Sequence, residues 1–122
     1  MSEYLTVAEV YLMQHRLIEM FGGVHGVCDK GAVEAAVFRP QTGYYISIEE
    51  EAAALMESLG NNHGFLDGNK RIAFHAMMVF LRSNGVRYAP DPAEATEIIL
   101  SLAAGEVSEE NLARWIRDNW LE

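Results

Sequence analysis

Helix punctuation constrains this chain more than any other feature. Five short polar residues stand where a helix would begin: Thr6, Asp29, Ser47, Asp91 and Ser108. Each can accept a hydrogen bond from the first-turn backbone N–H groups that a new helix leaves unpaired. Thr6 with Glu9 and Ser47 with Glu50 have capping-box spacing, and Asp91-Pro92 with Glu94 adds a first-turn proline and a capping-box acid. A further helix is set to run from Asn69 or Lys70 to Ser83. Stops follow at Gly22-Gly23, Asn84-Gly85 and Gly105. The expectation is an all-α chain, a six-helix bundle.

Apolar spacing says which faces pack. Val7, Val10, Leu17 and Phe21 form one stripe, and Ile48, Ala52, Leu55 and Leu59 form another that reaches His63 when continued by four residues. Asp29 starts a short helix ending near Phe38, weakened by Gly31 in its first turn. Leu112, Trp115, Ile116 and Trp120 make a last stripe able to dock on the bundle. Ile72 to Leu81 is apolar on nearly every side except at His75, which predicts a helix buried all round at the centre. Between the second and third helices, Arg39-Pro40-Gln41-Thr42-Gly43-Tyr44-Tyr45 breaks helix and favours extended backbone. It reads as a short exposed flap, next to a target or partner, or else with tyrosines that cover the core.

At 122 residues, half of them apolar, residues 1–122 fit one domain with a real core. The Ile72–Leu81 run falls well short of the ~20 residues a membrane span needs, so no membrane is expected. Met1-Ser2-Glu3-Tyr4 lacks the basic start of a secretory signal, which predicts a cytoplasmic protein. A net charge of −9 opposes nucleic-acid binding. Cys28 is the only cysteine, so an internal disulfide and a thiolate metal cluster are excluded, and a small buried thiol is expected. Against the acidic background Lys70 and Arg71 are adjacent, with Arg82 and Arg87 further on, a local basic pocket suited to a small anion.

The chemistry concentrates in His63-Gly64-Phe65-Leu66-Asp67-Gly68-Asn69-Lys70-Arg71, a polar loop that runs into a helix. A helix N-terminus offers unpaired N–H groups and a partial positive charge, which together make an anion site. Gly68 can take a positive φ and let a phosphate approach the backbone closely, and Lys70 and Arg71 add full charges. The plainer reading of Asp67 to Arg71 is an Asp-Gly turn followed by an asparagine N-cap. His63, across the loop, can accept a proton from an attacking hydroxyl or serve structure alone. Asp67 is either a turn-former or an oxygen ligand for the Mg²⁺ that accompanies nucleotide phosphates. Phe65 reads as an apolar pin holding the loop on the core.

As a unit these nine residues resemble the signature of the Fic/Doc family, with every fixed position matched. The stretch from Gly22-Gly23 to Gln41 and the six-helix order resemble its short death-on-curing branch. The resemblance implies a compact six-helix Fic/Doc bundle around a buried central helix. It implies His63, Asp67, Lys70 and Arg71 as catalytic residues, Asp67 as the Mg²⁺ ligand, and Gly68, Asn69, Lys70 and Arg71 as the turn that binds ATP or another nucleoside triphosphate.

Lys70 stands where the longer, AMP-transferring Fic pattern has glycine, and Phe74 where it has a second arginine. Both are features of the Doc-like branch, in which the terminal phosphoryl group faces the nucleophile. A kinase-type toxin is thus implied, acting on a threonine or serine of a protein substrate, elongation factor Tu, and restrained by a small antitoxin protein. His75 occupies a position where the Doc-like pattern often has asparagine, and a buried, satisfied histidine is the alternative role. No inhibitory-helix motif is found: Ser47 to Glu51 reads as a cap and Ser101 to Glu106 has the wrong spacing. Two other readings stand beside the toxin, an AMP-transferring enzyme and a non-catalytic helical binding module.

Overall fold

The computed structural model describes residues 2–121. Six α-helices follow in order: α1 (Val7–Phe21), α2 (Lys30–Phe38), α3 (Ile48–Asn61), α4 (Asn69–Ser83), α5 (Pro92–Ala103) and α6 (Glu109–Asp118). Five of the six starts carry a side-chain cap. Thr6 Oγ1 accepts from Glu9 N–H at 3.1 Å while Glu9 Oε1 accepts from Thr6 N–H at 2.9 Å, and Ser47 and Glu50 repeat the exchange. Asp29, Asp91 and Ser108 accept from the N–H three residues on. The expected second half of the Asp91 box is absent. Glu94 accepts from Trp115 Nε1 at 3.2 Å instead, tying α5 to α6.

Burial is deepest in α3, where residues 51–60 are enclosed apart from half-buried Glu57. Alanine and glycine let neighbours approach this helix closely: a Cβ on Gly60 would lie 2.7 Å from Leu102 Cδ2 of α5. The core joins Leu55, Met56 and Leu59 of α3 to Ile72, Met77, Phe80 and Leu81 of α4 and to Leu112 and Ile116 of α6. Each large side chain removed from water in this way contributes about 1.5–3 kcal/mol. α4 is not buried all round. Phe74, Met78 and Val79 are only half-buried and His75 is exposed, because α1 and α3 cover one side of the helix and leave the other partly open. His75 therefore has no place in the core. Partial burial, and then the charge of Arg82, lower its pKa.

The flap is more tightly held than its sequence suggests. Arg39–Gln41 is a turn of 3₁₀ helix with Pro40 buried and Tyr45 half-buried, while Thr42, Gly43, Tyr44 and Ile46 are exposed, Tyr44 and Ile46 at 81% and 94%. Arg39 pins the base by reaching Glu57 and Ser58 of α3 and Glu109 of α6, and its Nε donates to Tyr45 Oη at 3.0 Å. A two-residue antiparallel pair, β1 (Arg87–Tyr88) with β2 (Trp120–Leu121), is the one ladder among the described residues. Cys28 is exposed, not buried, because its loop runs along the surface. Among the described residues no helix is long and apolar enough to cross a membrane.

Candidate active site

Two loops run side by side to build the site. One joins α1 to α2, the other α3 to α4, and they meet in a short antiparallel bridge of Val27 with Phe65. Leu66 N–H donates to Gly26 O at 3.1 Å, and Gly64 O accepts from both Cys28 and Asp29 N–H. Gly64 has to be glycine, since a Cβ would fall 2.5 Å from Val33 Cγ2. Phe65 is 3% exposed and meets Tyr11 edge-on, the anchoring role its apolar ring suggests.

The junction with α4 is tightly specified. Gly68 is the N-cap at φ 78°, a left-handed conformation that is easy for glycine. Asn69 is not the cap. Its side chain folds back on the loop, donating to Phe65 O at 2.9 Å and accepting from Phe65 N–H at 3.0 Å. Helix bonding begins only with Ile72 N–H on Gly68 O. The N–H groups of Asn69, Lys70 and Arg71 thus have no carbonyl one turn back, and no side chain caps them. Neither Lys70 nor Arg71 enters an ion pair among the described residues; Arg71 lies over the Phe21 ring at 5.1 Å. Phe21 has left the apolar stripe of α1 and is 58% exposed.

Asp67 is held from two sides. Oδ1 accepts from Gly68 N–H at 2.8 Å and Oδ2 from Val24 N–H at 3.3 Å. Both oxygens keep further lone pairs, and the residue is exposed. Gly23 makes the approach possible, because a Cβ there would stand 2.7 Å from Asp67 Oδ2. Sequence reasoning missed Gln14. Although 4% exposed, it donates through Nε2 to Val24 O at 3.2 Å and Asp67 O at 3.4 Å, bracing one loop against the other. Its signal was a polar side chain between Val10 and Leu17 in an apolar stripe.

His63 is exposed, two residues beyond the end of α3 rather than on its stripe, with φ 51°. A positive φ in a residue other than glycine is uncommon and stores modest strain, so it needs local support. The imidazole has no hydrogen-bond partner among the described residues. His63, Asp67, Gly68, Asn69, Lys70 and Arg71 all line one open cavity of about 880 Å³, closed on its far side by Ile99 and Leu100 of α5. One imidazole, one carboxylate, two cations and an uncapped helix end thus share a single hollow within the size range of small-molecule sites.

Residues 4–81 match the model of the Fic/DOC family, and the chain belongs to that family. It is 49% identical over 76 residues to "Toxin Doc" of Mycolicibacterium smegmatis, an alignment covering 58% of each chain. It is also 29% identical over 118 residues to "Protein kinase doc" of Escherichia phage P1, covering 93% of each. The match to the first relative therefore spans rather more than half of that protein's length.

Proposed function

We propose that this chain, acting as one domain, is a toxin that transfers the terminal phosphoryl group of ATP or another nucleoside triphosphate to a threonine or serine hydroxyl of a protein. The observation that carries the reading is the uncapped N-terminus of α4, with His63 and Asp67 beside it in one cavity. N–H groups at a helix start, together with Lys70 and Arg71, favour the dispersed negative charge of phosphates. His63 takes the proton of the attacking hydroxyl as its oxygen bonds to the γ-phosphorus. The bond from that phosphorus to the β–γ bridging oxygen breaks, the nucleoside diphosphate leaves, and His63 returns its proton to solvent.

Asp67 fits a Mg²⁺ ion accompanying the nucleotide. It is an exposed carboxylate fixed by two N–H groups with lone pairs to spare, and Mg²⁺ typically takes one or two such carboxylates beside phosphate oxygens. The ion would supply charge neutralisation on the phosphates. Asn69 serves the turn by bracing Phe65.

Phosphoryl rather than adenylyl transfer is supported by the α4 face. One turn after Lys70 and Arg71 comes Phe74, packed on the core, where the longer, AMP-transferring Fic pattern that the chain resembles has an arginine for distal phosphates. The resemblance to the death-on-curing branch supports elongation factor Tu as the substrate and a small antitoxin as the restraint. Intact-mass analysis of elongation factor Tu after incubation with the chain, ATP and Mg²⁺ should show addition of a phosphoryl group. An adduct retaining adenosine would establish AMP transfer instead. Expression of the chain alone should arrest bacterial growth, and co-expression of the adjacent small open reading frame should relieve it. Harmless expression in a sensitive host would favour a binding module.

A further inference from the structure

Away from the candidate active site, α1 carries His15 and Glu19 one turn apart, and His25 comes up beside them from the loop that follows. His25 Nε2 lies 3.2 Å and His15 Nε2 3.7 Å from Glu19 Oε1. The two imidazoles stack with centroids 4.5 Å apart. One ligand atom from each residue lies within 4.8 Å of the other two. A tetrahedral ion with bonds of about 2.0–2.2 Å holds its ligand atoms about 3.3–3.6 Å apart. Two edges of this triangle already have nearly that length, and the third is within 4.8 Å between two exposed rings.

We propose that His15, Glu19 and His25 bind one divalent transition-metal ion of the zinc class, with water completing its shell. The donor set decides the class. Two imidazoles and a carboxylate suit Zn²⁺, Co²⁺ or Ni²⁺, whereas Mg²⁺ and Ca²⁺ prefer oxygen alone. The net charge of −9 draws cations to the surface. This site is distinct from the Asp67 site in both residues and ion, but the two are joined through the chain. His25 follows Val24, whose N–H holds Asp67 Oδ2 and whose carbonyl holds Gln14. An ion binding His25 onto α1 would staple the segment between Gly22 and Gly26, both at positive φ, and so steady the backbone that positions Asp67.

The test is titration of the metal-free full chain with Co²⁺ and then Zn²⁺, followed by visible absorption and calorimetry. One Co²⁺ per chain is expected, displaced by Zn²⁺, with ligand-field bands and no sulfur charge-transfer band. H15A and H25A should each weaken binding by about tenfold or more, and the double variant should abolish it. These side chains are 61% and 42% exposed, and circular dichroism verifies that the variants fold. H63A and C28S should bind as wild type does, which separates this site from the candidate active site and from the thiol. Zn²⁺ should also slow amide exchange across residues 24–26 in the wild type and not in the double variant. Failure of the wild type to bind, undiminished binding in the double variant, or loss of binding in H63A or C28S would overturn the proposal.

Discussion

The two ends of α4 are built on opposite plans. At the C-terminal end Asn84 closes the helix thoroughly: its Nδ2 donates to Phe80 O at 2.8 Å and Glu3 O at 2.9 Å, and its Oδ1 accepts from Glu3 N–H at 2.7 Å. Gly85 then turns at φ 78°, and Val86 N–H returns to Leu81 O. At the N-terminal end the cap is a glycine with no side chain to offer, and the adjacent Asn69 faces away into the loop. One end secures the helix. The other forgoes a cap worth about 1 kcal/mol and keeps its donors open to a ligand. Stability and activity should therefore separate along a single helix.

The largest effect should come from His63→Ala, with transfer to the protein substrate falling about 10²- to 10⁴-fold while the melting curve barely moves. His63→Gly is the sharper variant, because it relieves the positive φ and should raise the melting temperature slightly with the same loss of activity. Wild-type turnover in a folded His63 variant would dissolve the contrast between the ends. Asp67→Ala should lose Mg²⁺-dependent nucleotide binding, and Lys70→Ala and Arg71→Ala should weaken it; unchanged titrations in all three would remove the anion site.

Asn84→Ala should do the converse, lowering stability by about 1–3 kcal/mol through its three hydrogen bonds with nucleotide affinity intact. Denaturant unfolding paired with a nucleotide titration checks both halves. Gly23→Ala should affect both properties, since its Cβ would press on Asp67 Oδ2 and on Ile18 Cδ1, 2.9 Å away. Gly85→Ala meets nothing within 4 Å and should cost only the conformational penalty of about 1–2 kcal/mol. The smallest effect is a slope in pH. His75 has a lowered pKa when folded, so its share of stability is present above its unfolded value near 6.5 and fades as pH falls through its folded value. His75→Gln should flatten that slope slightly in acid melts.

What the sequence made readable was local. Thr6, Asp29, Ser47, Asp91 and Ser108 all cap the helices they were expected to cap, because a cap is a bond between residues three apart. The loop from His63 to Arg71 could likewise be located, since its residue types and helix boundary lie within nine positions. Contacts made at long range were hidden. Arg39 gave no hint that it would hold the flap, nor Phe21 that it would lie under Arg71. Two-residue strands carry no period to detect, so β1 and β2 were invisible. Asn69 misled for a local reason: an asparagine at a helix start suits the cap and the backward loop bond equally well, and only the neighbouring Gly68 backbone decides between them.

Arg39 has a consequence for how the molecule comes into being during synthesis. Its guanidinium is tied to Glu57, and then to Glu109, a residue 70 positions later. In a nascent chain the nine-residue loop and α4 leave the ribosome before α6 does, and the base of the flap stays unfastened until Glu109 is free of the exit tunnel. Premature termination between α5 and α6 would therefore release a fragment that carries His63, the turn from Asp67 to Arg71 and the α5 wall of the cavity beside a loosened flap.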